Sequence, residues 1–272
     1  MASSGMRRPV RVGVQVSNQH APYAVIRDTV RELEDLGVDI IFNWDHFFPL
    51  NGDPDGLHFE AWTMLGAIAE QTSRVEFGPL VNCNAYRNPD LQADMARTLD
   101  HISAGPDGVG RFIFGTGSGW FERDFTEYGY DFGTAGSRLN ALAVDLPRIV
   151  ARWEKLNPVP TRRIPILIGG GGEQKTLRIV AEHADIWHSF SDTDTLVRKL
   201  GVLQHWCEVV GRDMSEIELS TGTSIRGMGS SEIAALDTYR ELGVTLFEVA
   251  INAGTDLDKV KRVLNWRDSI DG

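Results

Sequence analysis

Two ionisable residues stand side by side in the run Asn43-Trp-Asp-His-Phe-Phe48, directly after the apolar stretch Val38–Phe42. Asp45 and His46 could bind a polar ligand and move a proton, because an imidazole changes protonation near neutral pH and a neighbouring carboxylate can raise its pKa. Neither gains from burial, so the pair at a strand end points to a pocket that uses it. In isolation Asp45 could equally cap the following turn, leaving His46 a surface residue. A second signal is the run Gly169–Gly172, followed by a helix predicted to begin near Glu173. Bare backbone lets amide N–H groups approach an anion at a helix start, so Gly169, Gly170, Gly171 and Gly172 form a candidate phosphate cradle to which Lys175 and Arg178 could add charge. The same glycines could instead serve only a turn.

Other chemistries are less well supported. The stretch Gly115-Thr-Gly-Ser-Gly-Trp120 lacks the G-x-G-x-x-G spacing of a dinucleotide fingerprint and is expected to form a tight loop against a flat ring. Asp45, His46, His58 and Glu60 could be assembled into a metal site, but His58-x-Glu60 lacks the P-C-x-x-C half that zinc deaminases require, and no metal is expected. His101, His183 and His205 fall within predicted helices.

Eight strand–helix alternations would hold these residues. Val10–Val16 with Ala21–Leu36 is the first, the helix stopping at Gly37; Val38–Asn43 with Phe59–Gln71 and Arg74–Val81 with Pro89–Ser103 follow. The next are Arg111–Thr116 with Arg138–Lys155 and Ile164–Ile168 with Glu173–His183. Three weaker pairs complete the set: Ala184–Ser189 with Thr193–Val210, Ile217–Thr221 with Ser231–Leu242, and Thr245–Ile251 with Leu257–Trp266. Short apolar strands without a Pro-, Gly- or Ser-rich linker predict one α/β domain over residues 1–272, a (β/α)8 TIM barrel, with residues 1–8 a flexible tail. A Rossmann-like open sheet is the alternative. In a barrel, the residues just past each strand converge on one pocket. They include Gln15, Ser17, Asn18 and His20 after the first strand, Asn82 to Asn84 and Tyr86 after the third, and His188 after the sixth.

Length and composition agree with an enzyme of this size. The 272 residues carry a net charge of −11 with both signs interspersed, which argues against nucleic-acid or anionic-membrane surfaces. No segment approaches the roughly 18 consecutive apolar residues of a membrane span. Cys83 and Cys207 form no metal-spaced motif, so reduced thiols in a cytoplasmic protein are expected.

Four segments together resemble the luciferase-like monooxygenase superfamily, and within it the subset that uses the deazaflavin coenzyme F420. They are Trp44–Phe48, GPLVNCNAYRNP at 78–89, GTGSGWFERDFTEYGYDF at 115–132 and PILIGGGGEQKTLRIVAEHADIWH at 165–188. The resemblance implies that Asp45 contacts the deazaflavin ring and that His46 faces the substrate. It implies a bulge at Pro79, Leu80, Val81 and Asn82, often with a non-prolyl cis peptide, that backs the ring. Gly115, Thr116, Gly117, Ser118 and Gly119 would lie beside the ring and ribityl chain, and Gly169–Gly172 would hold the phosphate. A homodimer acting on a small organic molecule is expected. Two departures matter: Ser118 stands where a sugar-phosphate dehydrogenase of the superfamily has a catalytic Glu, and Leu50 where it has an aromatic residue. The short passage Trp153–Arg163 replaces a long excursion, so the mouth should be open or closed by a partner subunit. Hydride transfer with coenzyme F420 is the favoured function; an FMN-dependent monooxygenase and a cofactor-binding protein without turnover are the alternatives.

Overall fold

The computed structural model describes residues 9–223 and 232–271. The expected tail at residues 1–8 and the expected helix start at Ser231 lie outside them. Val12, Val14 and Val16 alternate with Arg11, Gly13 and Gln15 along β1 (Arg11–Ser17), which pairs in parallel with β2 (Ile40–Asn43) and with β9 (Val244–Asn252). The pairing of the first strand with the last, from Arg11 opposite Leu246 to Ser17 opposite Asn252, is barrel closure and removes the open-sheet alternative. From β9 the sheet runs through β8 (Glu218–Gly222), β7 (Ile186–His188), β6 (Ile166–Gly169) and β5 (Phe114–Gly117) to β4 (Asn82–Cys83). On the other side β2 pairs with β3 (Glu76–Pro79). β3 and β4 are two halves of one barrel strand. Phe77 N–H donates to Arg111 O and Ile113 N–H to Phe77 O, which joins β3 to the approach of β5. The architecture is the predicted α/β TIM barrel.

Local chemistry sets the helix boundaries. α1 (Tyr23–Leu36) ends at Gly37 with φ of 90°, a left-handed conformation that favours glycine. α2 (Ala61–Gln71) begins two residues later than the periodicity predicts, because the Glu60 carboxylate accepts the free N–H groups of Trp62 and Thr63. α3 (Pro89–Ile102) follows the Asn88 cap with Pro at its first position. Between β5 and α5 (Ala135–Trp153) lies α4 (Glu122–Tyr128), a helix absent from the sequence prediction. α5 itself starts earlier than expected, at a reciprocal cap between Thr134 and Ser137. α6 (Thr176–His183) starts later than expected, and α7 (Thr193–Val210), α8 (Glu232–Glu241) and α9 (Asp258–Asp271) complete the shell.

Two apolar layers and one ionic layer hold the barrel. Inward-pointing Ile40, Phe42, Leu80, Ile113, Leu167, Ile186 and Leu246 fill its centre, and a larger cluster packs the outer strand faces against the helices. At the N-terminal ends of the strands Arg11 pairs with Glu76 at 2.6 Å and Glu218 at 2.5 Å, and Arg162 reaches Glu76 at 2.8 Å. The C-terminal end is left for the pocket.

Candidate active site

Leu80 and Val81 interrupt the third barrel strand, and the peptide between them is cis. Polar groups pin this bulge on every side. Leu80 N–H donates to Asn43 O at 2.8 Å, and Gln15 Nε2 donates to Leu80 O at 2.6 Å. The Asn82 side chain accepts from Trp62 Nε1 at 3.0 Å and donates to Gln92 Oε1 at 2.8 Å. Glycines on the neighbouring strands admit the segment: a Cβ on Gly115 would lie 1.8 Å from Pro79 O, and one on Gly169 would lie 2.9 Å from Val81 Cγ1. Gly117 is constrained by Val81 in the same way. Several glycines that the sequence suggests for ligand contact therefore make room first for the Val81 wall.

That wall borders a cavity of about 450 Å³ at the C-terminal end of the barrel. Of the residues expected at the site, Asp45, His46, Leu80, Val81, Asn82, Gly117, Ser118, Gly119, Gly169 and Gly170 line it. Pro79, Gly115 and Thr116 do not; they lie beneath, in the strand packing, where the Thr116 hydroxyl meets Asn82 Nδ2 at 3.4 Å. Gly171 and Gly172 lie outside the cavity, next to Lys199 and Thr176 respectively. Gln15, Trp44, Leu50, Cys83, Tyr86, Trp120, His188 and Phe190 complete the lining.

Asp45 and His46 do not act on one another. The Asp45 carboxylate is buried, held by both terminal nitrogens of Arg87 at 2.6 and 3.0 Å, and it accepts Cys83 N–H at 3.0 Å. Burial pushes its carboxyl up, against the opposing pull of Arg87. His46 instead turns its Nδ1 to Asp124 Oδ2 at 2.6 Å. The expectation that Asp45 tunes His46 is thus corrected: successive side chains leave the chain in different directions, and α4 supplies the carboxylate. Asp124 also accepts Phe47 N–H at 3.0 Å and the Tyr86 hydroxyl at 3.0 Å. Burial and these neighbours raise the Tyr86 pKa, so it remains a donor. Trp120 and Phe121 meet the His46 ring edge-on at 5.7 and 5.5 Å. Asp124 sits inside the motif at 115–132, but only the rotation of α4 brings it to His46.

The postulated divalent site does not assemble, since Asp45 and Glu60 both bind Arg87. Burial drives the His58 imidazole down to about 4, helped by the nearby His46. Cys83, buried and pushed up to about 12 by desolvation, is no nucleophile.

At the anion cradle the cation differs from expectation. Lys175 precedes α6 and donates to Asn140 at 2.7 Å, while Arg178 pairs with Glu182 at 2.9 Å. Lys199 on α7 lies over the glycines: a Cβ on Gly171 would be 2.2 Å from its Nζ, which also reaches Ser191 Oγ at 3.2 Å. Lys199 stands 27 positions beyond the last glycine of the run, too far for helix-start reasoning to find it.

The luciferase-like monooxygenase model matches residues 4–243. The chain belongs to this family. Among its relatives, an uncharacterized protein of Mycobacterium tuberculosis is 26% identical over 229 residues, 72% of this chain and 73% of the relative. A luciferase-like fold at much lower identity recurs in solved structures. An F420-dependent secondary alcohol dehydrogenase in complex with an F420-acetone adduct superposes with a TM-score of 0.81 at 15% identity, covering 96% of this chain and 99% of the other. The coenzyme F420-dependent tetrahydromethanopterin reductase of Methanopyrus kandleri gives 0.71 at 16%, covering 94% and 97%. The FMN-bound oxygenating constituent of 3,6-diketocamphane monooxygenase from Pseudomonas putida gives 0.62 at 15%, covering 78% and 67%. Among the described residues of this luciferase-like chain, no helix is long and apolar enough to cross a membrane.

Proposed function

We propose that this chain is an oxidoreductase that transfers a hydride between coenzyme F420 and a small organic substrate. The observation that carries the reading is His46, held at Nδ1 by the buried Asp124 and lining a cavity that the Val81 bulge also lines. A flat heterocycle needs a smooth apolar wall and polar groups beside it, and the lining offers both: Val81 backed by Gly117 and Gly169, and Trp44 and His188, whose Nε1 and Nε2 atoms are buried without a partner among the described residues. The residues therefore fit a deazaflavin, which would supply hydride chemistry at its central ring and react poorly with oxygen.

The chain's own groups do the remainder. Asp124 accepts from Nδ1, which leaves His46 Nε2 to exchange a proton with the substrate as hydride moves. Asp45 has both oxygens engaged, so its part is to hold the bulge through Cys83 N–H rather than to bond the ring. Gly170–Gly172 and Lys199 would take the phosphate, the bare backbone allowing approach and the ammonium supplying charge. A single-domain chain, a cytoplasmic location and a homodimer belong to the same proposal; both cysteines are free and buried.

FMN carries a comparable phosphate and flat ring, and the Pseudomonas monooxygenase binds it on a related fold. The deazaflavin reading is supported by the better overlay with the F420-dependent alcohol dehydrogenase, a TM-score of 0.81 against 0.62 for the FMN-bound monooxygenase. Fluorescence titration of the protein with both cofactors decides. Coenzyme F420 is expected to bind at least about tenfold more tightly, some 1.4 kcal/mol; a tenfold preference for FMN would reverse the assignment. Hydride transfer to any acceptor would then exclude a binding protein without turnover.

A further inference from the structure

β7 ends in a histidine that the proton chemistry above does not use. His188 is 1% exposed, yet it lines the cavity. Its Nδ1 is held by Ser220 Oγ at 2.8 Å, and Phe190 packs edge-on against the ring at 4.6 Å, so the imidazole cannot turn freely. Nε2 has no partner. In register beside it on β6 stands Gly169, and Gly170 N–H donates to His188 O at 3.1 Å, so neither neighbour adds a side chain in front of the ring. A buried polar atom is ordinarily paired, and an unpaired one on a fixed ring that lines a cavity is prepared for a ligand.

We propose that His188 Nε2 hydrogen-bonds a carbonyl or ring N–H on the edge of the flat heterocycle bound in this pocket. The proposal rests on the cofactor reading above and adds to it a residue that positions the ring from the side of β7. Burial lowers the His188 pKa to about 3, so the imidazole is neutral at physiological pH. A neutral ring held by Ser220 presents Nε2 as donor or acceptor according to the tautomer, and a heterocycle edge carrying both C=O and N–H can meet either. The group therefore reads the shape and hydrogen-bonding pattern of the ligand, not its charge.

Coenzyme F420 and FMN are titrated into wild type, His188→Phe and His188→Gln, with circular dichroism as a check of folding and with imidazole-15N-labelled wild type observed by NMR. The Phe variant keeps an aromatic ring but loses both nitrogens, the bond to Ser220 included, and should bind coenzyme F420 about tenfold more weakly, the effect of one neutral hydrogen bond to the ligand. Gln, whose amide can reach the Nε2 position, should restore most of that loss. The His188 Nε2 resonance of wild type should move when coenzyme F420 is added. If wild type binds coenzyme F420 and the Phe variant binds it equally well, the His188 proposal fails and the cofactor reading stands. If wild type prefers FMN, the cofactor choice fails and His188 is judged by the same comparison with FMN. Binding of neither cofactor overturns both. Should the Phe variant not fold, an unmoved Nε2 resonance in saturated wild type overturns the proposal and a moved one supports it.

Discussion

An imidazole transfers a proton efficiently only when one nitrogen is fixed and the other is presented to the substrate. Asp124 performs the fixing for His46, and it also ties down Phe47 N–H and the Tyr86 hydroxyl. Asp124→Asn keeps the shape but replaces the carboxylate acceptor at His46 Nδ1 with an amide. It is expected to lower kcat by roughly 10- to 100-fold, in the range of general acid–base contributions, with cofactor affinity nearly unchanged. Steady-state kinetics beside a cofactor titration checks this, and an equal loss in both would reduce Asp124 to a scaffold residue. Lys199 gives a second residue-scale expectation. Lys199→Ala should weaken cofactor binding in a salt-dependent way, whereas Lys175→Ala, which removes a group bonded to Asn140, should leave it unchanged. Titrations at two salt concentrations distinguish them. Loss on replacing Lys175 instead would move the phosphate toward α5.

At the scale of the element, the broken third strand shapes the site. A barrel strand normally continues its ladder to the rim; here the ladder yields at Leu80–Val81 and the side chain of Val81 packs onto β5 and β6. That packing requires missing Cβ atoms on the neighbours. Gly115→Ala would drive a methyl group to 1.8 Å from Pro79 O, a backbone atom that cannot swing aside. The expected cost is about 2–4 kcal/mol, because overpacking must move a strand. Urea unfolding measures it. A loss below about 0.5 kcal/mol would mean that the bulge shifts easily and is not a rigid wall. Gly171→Ala is the contrast: its added methyl meets only the end of the Lys199 side chain, which can move, so stability should hardly change.

For the molecule as a whole, the ionisable groups buried at the pocket end of the barrel set how stability follows pH. Glu248 on β9 is 1% exposed, its Oε1 without a partner among the described residues, and burial raises its pKa to about 8. Between its unfolded value near 4.5 and 8 the unfolded chain ionises Glu248 and the folded chain does not, so this group lowers stability as pH rises through that window. His188, held down to about 3, has the opposite sign: below 6.5 the unfolded chain takes up the proton first, and stability is lost as pH falls toward 3. Glu248→Gln keeps the volume and removes the titration. It should therefore be more stable than wild type at pH 8, by roughly 3 kcal/mol or more, and about equal at pH 4. Urea midpoints at the two pH values give the answer; a difference independent of pH would show that Glu248 is ionised in the folded state.

The sequence by itself determined the barrel, because eight short apolar strands alternating with amphipathic helices have few ways to bury every strand face. It also brought Asp45, His46 and the run Gly169–Gly172 toward one rim, since strand ends in this fold meet there, although only Gly169 and Gly170 of the run line the cavity. Helix starts moved by two or three residues where side chains such as Glu60 supplied the cap, and α4 was missed because a seven-residue helix in a loop leaves too short a period to recognise. What only the tertiary structure decided was which groups pair. Asp45 and His46 are adjacent in the chain, yet one is bound to Arg87 and the other to Asp124, 78 positions away. Lys199, not the nearer Lys175, lies over the glycines. Hydrogen bonds act only over about 3 Å and depend on direction, so they follow the spatial meeting of elements distant in sequence, whereas burial follows a periodicity written along the chain itself.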